Sequence, residues 1–278
     1  SFKLMSTGRV QGPALKIIVT REKEIKAFKP VPFWQIELKG EVNKGSIIAW
    51  HKEDKFWEKA KADKVIKQVK GQRKAVVDKT QKKQFKQQPP TPFDLTTMQM
   101  EAYKCYKISP KETLEIAQEL YSSGYISYPR TSSQQLPDKI GFKKIFAGLS
   151  KQELYSELIK ELLKKPLKPN NGKKTDPAHP AIYPTGTTTN ISNDREQKIY
   201  DLIVKRFLAT FGDNAIRETS TMNIDCNKEI FIAKGTRTVE KGWHIYYHPY
   251  VKLEEEELPE VNKGDQVDVK KINLYEKE

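Results

Sequence analysis

A tyrosine and an arginine stand two residues apart in the stretch Gly124-Tyr125-Ile126-Ser127-Tyr128-Pro129-Arg130-Thr131-Ser132-Ser133. If the backbone is extended there, Tyr128 and Arg130 project to the same side. Pro129 favours this, because it disfavours a helical conformation at Tyr128. A phenol titrating at about 10 is a weak nucleophile at neutral pH. A guanidinium beside it favours the phenolate and can hold a phosphate in line for attack. The chemistry open to such a pair is attack of a tyrosine on a phosphodiester, with a covalent intermediate. Thr131, Ser132 and Ser133 follow, three hydroxyls that could bond phosphate oxygens. On these residues alone a simpler reading also stands: Tyr125, Ile126 and Tyr128 pack a core strand and Arg130 is solvated.

A helix must deliver this stretch. Ser109 reads as its N-cap, Pro110 takes the first helical position, and Glu112 completes a capping box. Leu114, Ala117, Leu120 and Tyr121 recur at helical spacing, and Gly124 suits the left-handed position that ends such a helix.

The sequence of 278 residues is 37% hydrophobic and 31% charged, with net charge +14. Apolar periodicity runs throughout, so this is not the composition of a disordered chain. The charge points to a polyanion, most simply nucleic acid, or to an anionic membrane surface; a merely solubilising excess of lysine gives the same balance. Two cysteines, Cys105 and Cys226, form no disulfide framework or zinc pattern, and a reducing cytoplasm is the expected compartment. No apolar run approaches a membrane span. The opening Ser1-Phe2-Lys3-Leu4-Met5 leads straight into a motif, which reads as a piece of a longer protein.

That motif is Ser6-Thr7-Gly8-Arg9-Val10-Gln11-Gly12-Pro13. Gly8 and Gly12 allow close approach of a ligand, and Arg9 and Gln11 are suitable phosphate and base-edge donors. A helix is expected next, with Leu15, Ile18, Val19, Glu22 and Ile25 on one face. From Phe33 the period changes to that of strands, at 33–42 and 45–51, then a short charged helix within 58–72 and an extended run at 74–86 bearing a lysine comb. Pro89-Pro90-Thr91-Pro92-Phe93 reads as a stiff linker. Helices are predicted at 97–104, 110–123, 139–149, 152–164 and 194–211, the last capped by Asn193. A loop rich in Pro, Gly, Asn and Lys lies at 166–185. Strands return at 221–225, 229–235, 243–247 and 266–274, and the acidic run 254–257 reads as a solvated loop. Helices between two blocks of strands predict an α+β chain, a helical domain inserted into a β domain.

Three separated motifs resemble those of type IA DNA topoisomerases, most closely the archaeal form. The first is Ser6-Thr7-Gly8-Arg9-Val10-Gln11 with the later Arg21-Glu22-Lys23-Glu24-Ile25; the second is the stretch around Tyr128. The third is His179-Pro180-Ala181-Ile182-Tyr183-Pro184-Thr185-Gly186. The run from Pro89 to Leu95 and the helix following Asn193 are similar too, and the order of all of these agrees.

The resemblance implies that Tyr128 is the nucleophile joined to a 5′-phosphate, that Arg130 contacts the scissile phosphate, and that His179 lies near it. It places Ser6, Thr7, Gly8, Arg9, Val10 and Gln11 in a DNA-contacting loop; Thr131 and Ser132 are counted with the DNA-binding residues. It implies the arch of a toroidal enzyme. Residues 1–30 would belong to a helical base domain, 31–90 and 214–272 to a discontinuous β hinge, 91–213 to a helix-turn-helix-like domain with the tyrosine, and 273–278 to the return.

The implied partner is DNA, especially single-stranded regions, for a monomer with no membrane contact. The implied cofactor is Mg²⁺, bound in the family by a glutamate and an Asp-x-Asp cluster of an N-terminal Toprim domain. No Asp-x-Asp occurs in this sequence, so the chain by itself is expected to be inactive. Two other readings remain: the topoisomerase half of a reverse gyrase, and a non-catalytic module that stacks single-stranded nucleic acid on aromatic residues.

Overall fold

The computed structural model describes residues 8–278. The chain forms two compact units. The first takes the chain up to Thr80, then Thr221–Ala233 and Leu258–Glu278; the second takes Gln81–Ser220 and Lys234–Glu257.

The first unit is built on a closed barrel, three of whose strands run on past the bounds of that unit. Helix α1 (Gln11–Ala27) precedes β1 (Phe33–Val42), β2 (Gly45–His51), α2 (Lys59–Val69) and β3 (Lys74–Gln87); β4 (Ala215–Cys226), β5 (Glu229–Glu240) and β6 (Gln266–Lys277) follow much later. The strand order is β1-β2-β5-β4-β3-β6, closed on itself. Alternation along β1 and β2 buries Ile36, Leu38, Val42, Ile47 and Ala49 in one core with Phe231, Ala233 and Val267. The β1–β2 and β4–β5 connections are two-residue turns, Asn43-Lys44 and Asn227-Lys228, with positive φ at every position. Such turns match the twist of antiparallel strands, and asparagine tolerates the left-handed backbone they need. Helix α2 adds Ala62, Val65 and Val69 to the same core. Closure rests on the antiparallel pairing of β1 with β6, from Phe33↔Lys277 to Glu41↔Asp268 with a register shift between Lys39 and Gly40.

The second unit is mainly helical: α3 (Leu95–Tyr106), α4 (Pro110–Ser122), α5 (Phe142–Leu149), α6 (Glu153–Leu162), α7 (Asp194–Ala209) and the short α8 (His244–Tyr247). In its core, aromatic side chains of α5 meet those of α7 and of the turn after it. There Phe142, Phe146, Phe207 and Phe211 pair with ring centroids 5.0 to 6.4 Å apart, the tilted and edge-on contacts that aromatic quadrupoles favour. Side-chain caps start three of the helices. Asp94 accepts from the Thr97 N–H at 2.7 Å, Ser109 from the Glu112 N–H at 3.2 Å, and Asn193 from the Arg195 N–H at 2.9 Å. Each such cap is worth about 1 kcal/mol.

Several local expectations are corrected. The 243–247 segment is helical, because Trp243, His244, Tyr246 and Tyr247 are all buried while Ile245 is exposed, a helical rather than alternating pattern. The 139–149 helix is split by Gly141, whose φ of 79° ends a 3-10 turn before α5 begins. The Glu112 half of the capping box is missing: its carboxylate takes Arg195 of α7 instead. Helix α1 forms, but none of its residues is buried among the described residues. Pro89–Phe93 is built into the second unit, with Phe93 fully buried and the Pro89 carbonyl accepting from Asn170 Nδ2.

Candidate active site

Helix α4 sets the position of the tyrosine stretch. Its buried face is Thr113, Ile116, Ala117 and Leu120. Two apolar residues expected on that face lie off it: Leu114 lines a surface cleft, and Tyr121 is 41% exposed. The helix ends as anticipated at Gly124, φ 75°. The Gly124 N–H donates to the Tyr121 carbonyl and the Tyr125 N–H to that of Leu120, both at 2.9 Å. This is the Schellman arrangement that a left-handed residue permits.

Beyond it the chain runs without regular structure, pinned to the histidine stretch. The Ser127 N–H donates to the Tyr183 carbonyl at 2.8 Å, and the Tyr183 N–H returns to Ser127 Oγ at 3.0 Å. The Thr185 N–H donates to the Tyr125 carbonyl at 2.9 Å, and the Ile182 N–H to that of Phe93 at 2.8 Å. Pro180 and Pro184 have no N–H to give, so a full ladder cannot form and side chains supply the missing bonds. Gly186 fits against α5 because a Cβ there would lie 2.7 Å from the Ile145 carbonyl oxygen.

The pinning brings Tyr128 and His179 together. Their ring centroids are 4.6 Å apart, and on another side the Tyr128 ring meets Tyr121 at 5.4 Å. Tyr128 is half-buried and His179 exposed. Tyr125 is placed differently: its hydroxyl accepts from the Asn190 N–H at 3.3 Å and its ring faces Tyr200. Of the two tyrosines in the stretch, Tyr128 is the one whose hydroxyl has no hydrogen bond among the described residues. Arg130 is exposed and lines a cleft of about 510 Å³ with Leu114, Gln118, Glu119 and Ser122 of α4. No hydrogen bond joins Arg130 to Tyr128 among the described residues; Tyr128 meets Tyr121 near the end of α4, and Arg130 lines the cleft along that helix.

The three hydroxyls after Arg130 have separate fates. Thr131 and Ser133 are buried. Thr131 Oγ1 donates to the His179 carbonyl at 3.4 Å and accepts from the Ser133 N–H at 3.0 Å; Ser133 Oγ accepts from the Gln135 N–H at 3.1 Å. These two groups are spent inside the fold, where they hold the turn. Ser132 is exposed, and its hydroxyl donates to Asp176 Oδ2 at 3.3 Å. The Asp176 carboxylate also accepts the Ala178 and His179 N–H groups at 2.9 and 3.0 Å. Those two backbone bonds hold its carboxyl below the usual carboxylate range. An aspartate two and three residues before two free N–H groups is the signature of an Asx turn, the sequence signal that points to Asp176.

Asp94 anchors the loop from the other side. Buried at 2% exposure, it accepts from Gln134 Nε2 at 3.1 Å and from Lys174 Nζ at 3.0 Å. Burial would raise its carboxyl, but hydrogen bonds from Thr97 and Lys174 outweigh it and lower the carboxyl instead.

Of the other expected residues, Ser6 and Thr7 lie outside the described residues. Gly8, Arg9, Val10 and Gln11 are exposed, at a turn and at the start of α1, in the first unit. Among the described residues no group of three or more His, Cys, Asp or Glu comes together as a cation site. Among the described residues no helix is long and apolar enough to cross a membrane.

The sequence model of the family described as DNA topoisomerase matches residues 1–278. DNA topoisomerase 1 of Methanocaldococcus jannaschii is 46% identical over 279 residues, covering 100% of this chain and 36% of that protein. DNA topoisomerase 3 of Bacillus subtilis is 32% identical over 288 residues, 96% of this chain and 39% of that protein. Among solved structures, full-length topoisomerase I from Thermotoga maritima superposes with a TM-score of 0.68 at 26% identity, covering 99% of this chain and 46% of that one. The chain thus spans less than half the length of these relatives. With a match along its whole length, the chain belongs to the type IA DNA topoisomerase family.

Proposed function

We propose that this chain carries the nucleophile of a type IA DNA topoisomerase that cleaves and reseals single-stranded DNA, as a monomer in the cytoplasm. The observation that carries the reading is the contact of Tyr128 with His179, centroids 4.6 Å apart, with an exposed Arg130 two residues on in the chain. Tyr128 Oη attacks the phosphorus and loses its proton. The bond to the 3′ oxygen breaks, and that oxygen leaves as a hydroxyl. Ester replaces ester, so the reverse attack reseals the strand without a nucleotide cofactor. Arg130 supplies a planar cation to the phosphate oxygens, and His179 a polar ring at the reacting phenol. Thr131 positions rather than touches the substrate, and Ser132 is the exposed hydroxyl beside it. Residues 6–11 attract the DNA backbone, in line with the net charge of +14.

Mg²⁺ belongs to this reading through the family. The described residues offer it no cluster, so every step above is assigned to this chain's own side chains.

The test is a labelled single-stranded oligonucleotide with the full-length protein. Wild-type protein should form a covalent adduct at Tyr128. Tyr128→Phe, which removes one oxygen and keeps the ring, should abolish the adduct and leave DNA binding unchanged. An adduct mapped to Tyr125, or one that persists in Tyr128→Phe, refutes the assignment.

A further inference from the structure

His179 makes no hydrogen bond through its ring among the described residues. Its place is therefore set by its backbone and by the Tyr128 ring. That backbone is held at both ends of one residue. The N–H donates to Asp176 Oδ1 at 3.0 Å, and the carbonyl accepts from Thr131 Oγ1 at 3.4 Å. Asp176 does more than close its own turn. Oδ1 takes the Ala178 and His179 N–H groups, while Oδ2 faces the Ser132 hydroxyl at 3.3 Å and the Ser132 N–H at 3.5 Å. One carboxylate thus spans the two segments that carry the reacting groups. Ser132 lies two residues beyond Arg130, and His179 three beyond Asp176. The bridge is at the surface, where neutral hydrogen bonds compete poorly with water. A charged acceptor serving several donors makes the stronger bonds.

We infer that Asp176 is a positioning residue for the reaction proposed above, on which this inference rests. By holding the backbone of His179 and of Ser132 in one geometry, it keeps the imidazole against the Tyr128 ring and fixes the segment that leads from Arg130. It touches neither phosphate nor phenol. Its removal should slow cleavage of bound DNA without weakening binding, because displacement of a reacting group by about 1 Å can cost on the order of a hundredfold.

The experiment measures single-turnover adduct formation by the full-length protein at saturating oligonucleotide, with DNA affinity and thermal melting alongside. Asp176→Ala should slow the adduct by about ten- to a hundredfold, with affinity within about twofold of wild type. Asp176→Asn, whose amide oxygen can still accept from Ala178 and His179, should recover most of the rate. Ser132→Ala should have a smaller effect and add little on top of Asp176→Ala, since contacting residues are not additive. A wild-type rate in Asp176→Ala, equal losses in the Ala and Asn variants, or additive losses with Ser132→Ala would overturn the inference. If Asp176→Ala is unfolded at the assay temperature, Asp176→Ser takes its place: one short hydroxyl cannot bond both segments as the two carboxylate oxygens do, so its rate should fall well below that of Asp176→Asn, and a wild-type rate overturns the inference. A wild-type protein with no Tyr128 adduct defeats the proposed function itself; a normal adduct unaffected by Asp176 defeats only this inference.

Discussion

Residues 8–11 and the paired stretches around Tyr128 and His179 are both proposed to meet DNA, yet they are built in opposite ways. Arg9 and Gln11 sit at the start of a helix with no buried residue, and Val10, its N-cap, makes no side-chain capping bond. Leu15, Ile17, Ile18 and Phe28 are all more than half exposed. In the tyrosine and histidine stretches, by contrast, buried Thr131 and Ser133 and the carboxylates of Asp94 and Asp176 engage backbone and side chains on both segments. Long-range attraction of phosphate tolerates loose placement, because its strength falls off slowly with distance and is limited by salt. Displacement at phosphorus does not, because it requires reacting atoms held within a fraction of an ångström. Under the proposed function, the two regions would carry those two requirements separately.

The sharpest way to test that division is Arg130→Lys in the full-length protein. A point charge cannot reproduce a bidentate phosphate contact, and the cleavage barrier should rise by about 2–4 kcal/mol. Single-turnover cleavage should fall accordingly while affinity holds. A lysine variant that cleaves at the wild-type rate removes Arg130 from the chemistry. Arg9→Ala should show the reverse. If the chain neutralises about four phosphates, log K falls against log salt with a slope of roughly −3, and losing Arg9 should flatten it by about 0.7. Fluorescence anisotropy with a short single strand at several salt concentrations measures this; an unchanged slope would mean that Arg9 does not meet phosphate. The smallest effect is expected from Ile18→Ala. Ile18 is 59% exposed, so stability of the 278-residue chain should change by no more than about 0.5 kcal/mol. A larger loss of melting temperature would show that α1 is packed in solution and would weaken the contrast.

Two helix starts, at Pro110 and Asp194, were legible from sequence because caps are local, whereas the Asp94 cap that starts α3 at Leu95 was not read. Ser109 and Asn193 both accept the bonds that their positions promise. Strands with one buried face, such as β1, were legible through alternation. What sequence could not give was tertiary competition for the same groups. Glu112 could have closed a capping box but met Arg195, distant in sequence. Leu114 and Tyr121 looked like core residues and instead flank Arg130 and Tyr128. An apolar or aromatic residue left over after a helix has satisfied its buried face is itself a signal of a site. The barrel closure was not legible at all, since β1 meets a partner at the far end of the chain. Within the site, residue types at Tyr128, Arg130 and His179 could be read from the motifs. The nearness of Tyr128 and His179 was implied only by the family resemblance and not by the residues themselves, because the bonds that enforce it run through Ser127, Thr131 and Asp176, residues whose types alone suggest only turns.

The pairing of Phe33 with Lys277 has a mechanical side. The polypeptide arriving at Phe33 and that departing from Lys277 stand side by side at one corner of the barrel. Tension that draws those two points apart loads the β1–β6 ladder at its end, one residue pair after another, beginning with Phe33↔Lys277 and Trp34↔Glu276. Opposed pulls along the strand axes would instead load every bond of the ladder together. Tension of the first kind meets one pair at a time and so opens the ladder at lower load than sliding does, and the register shift between Lys39 and Gly40 is the first irregularity the opening front would reach.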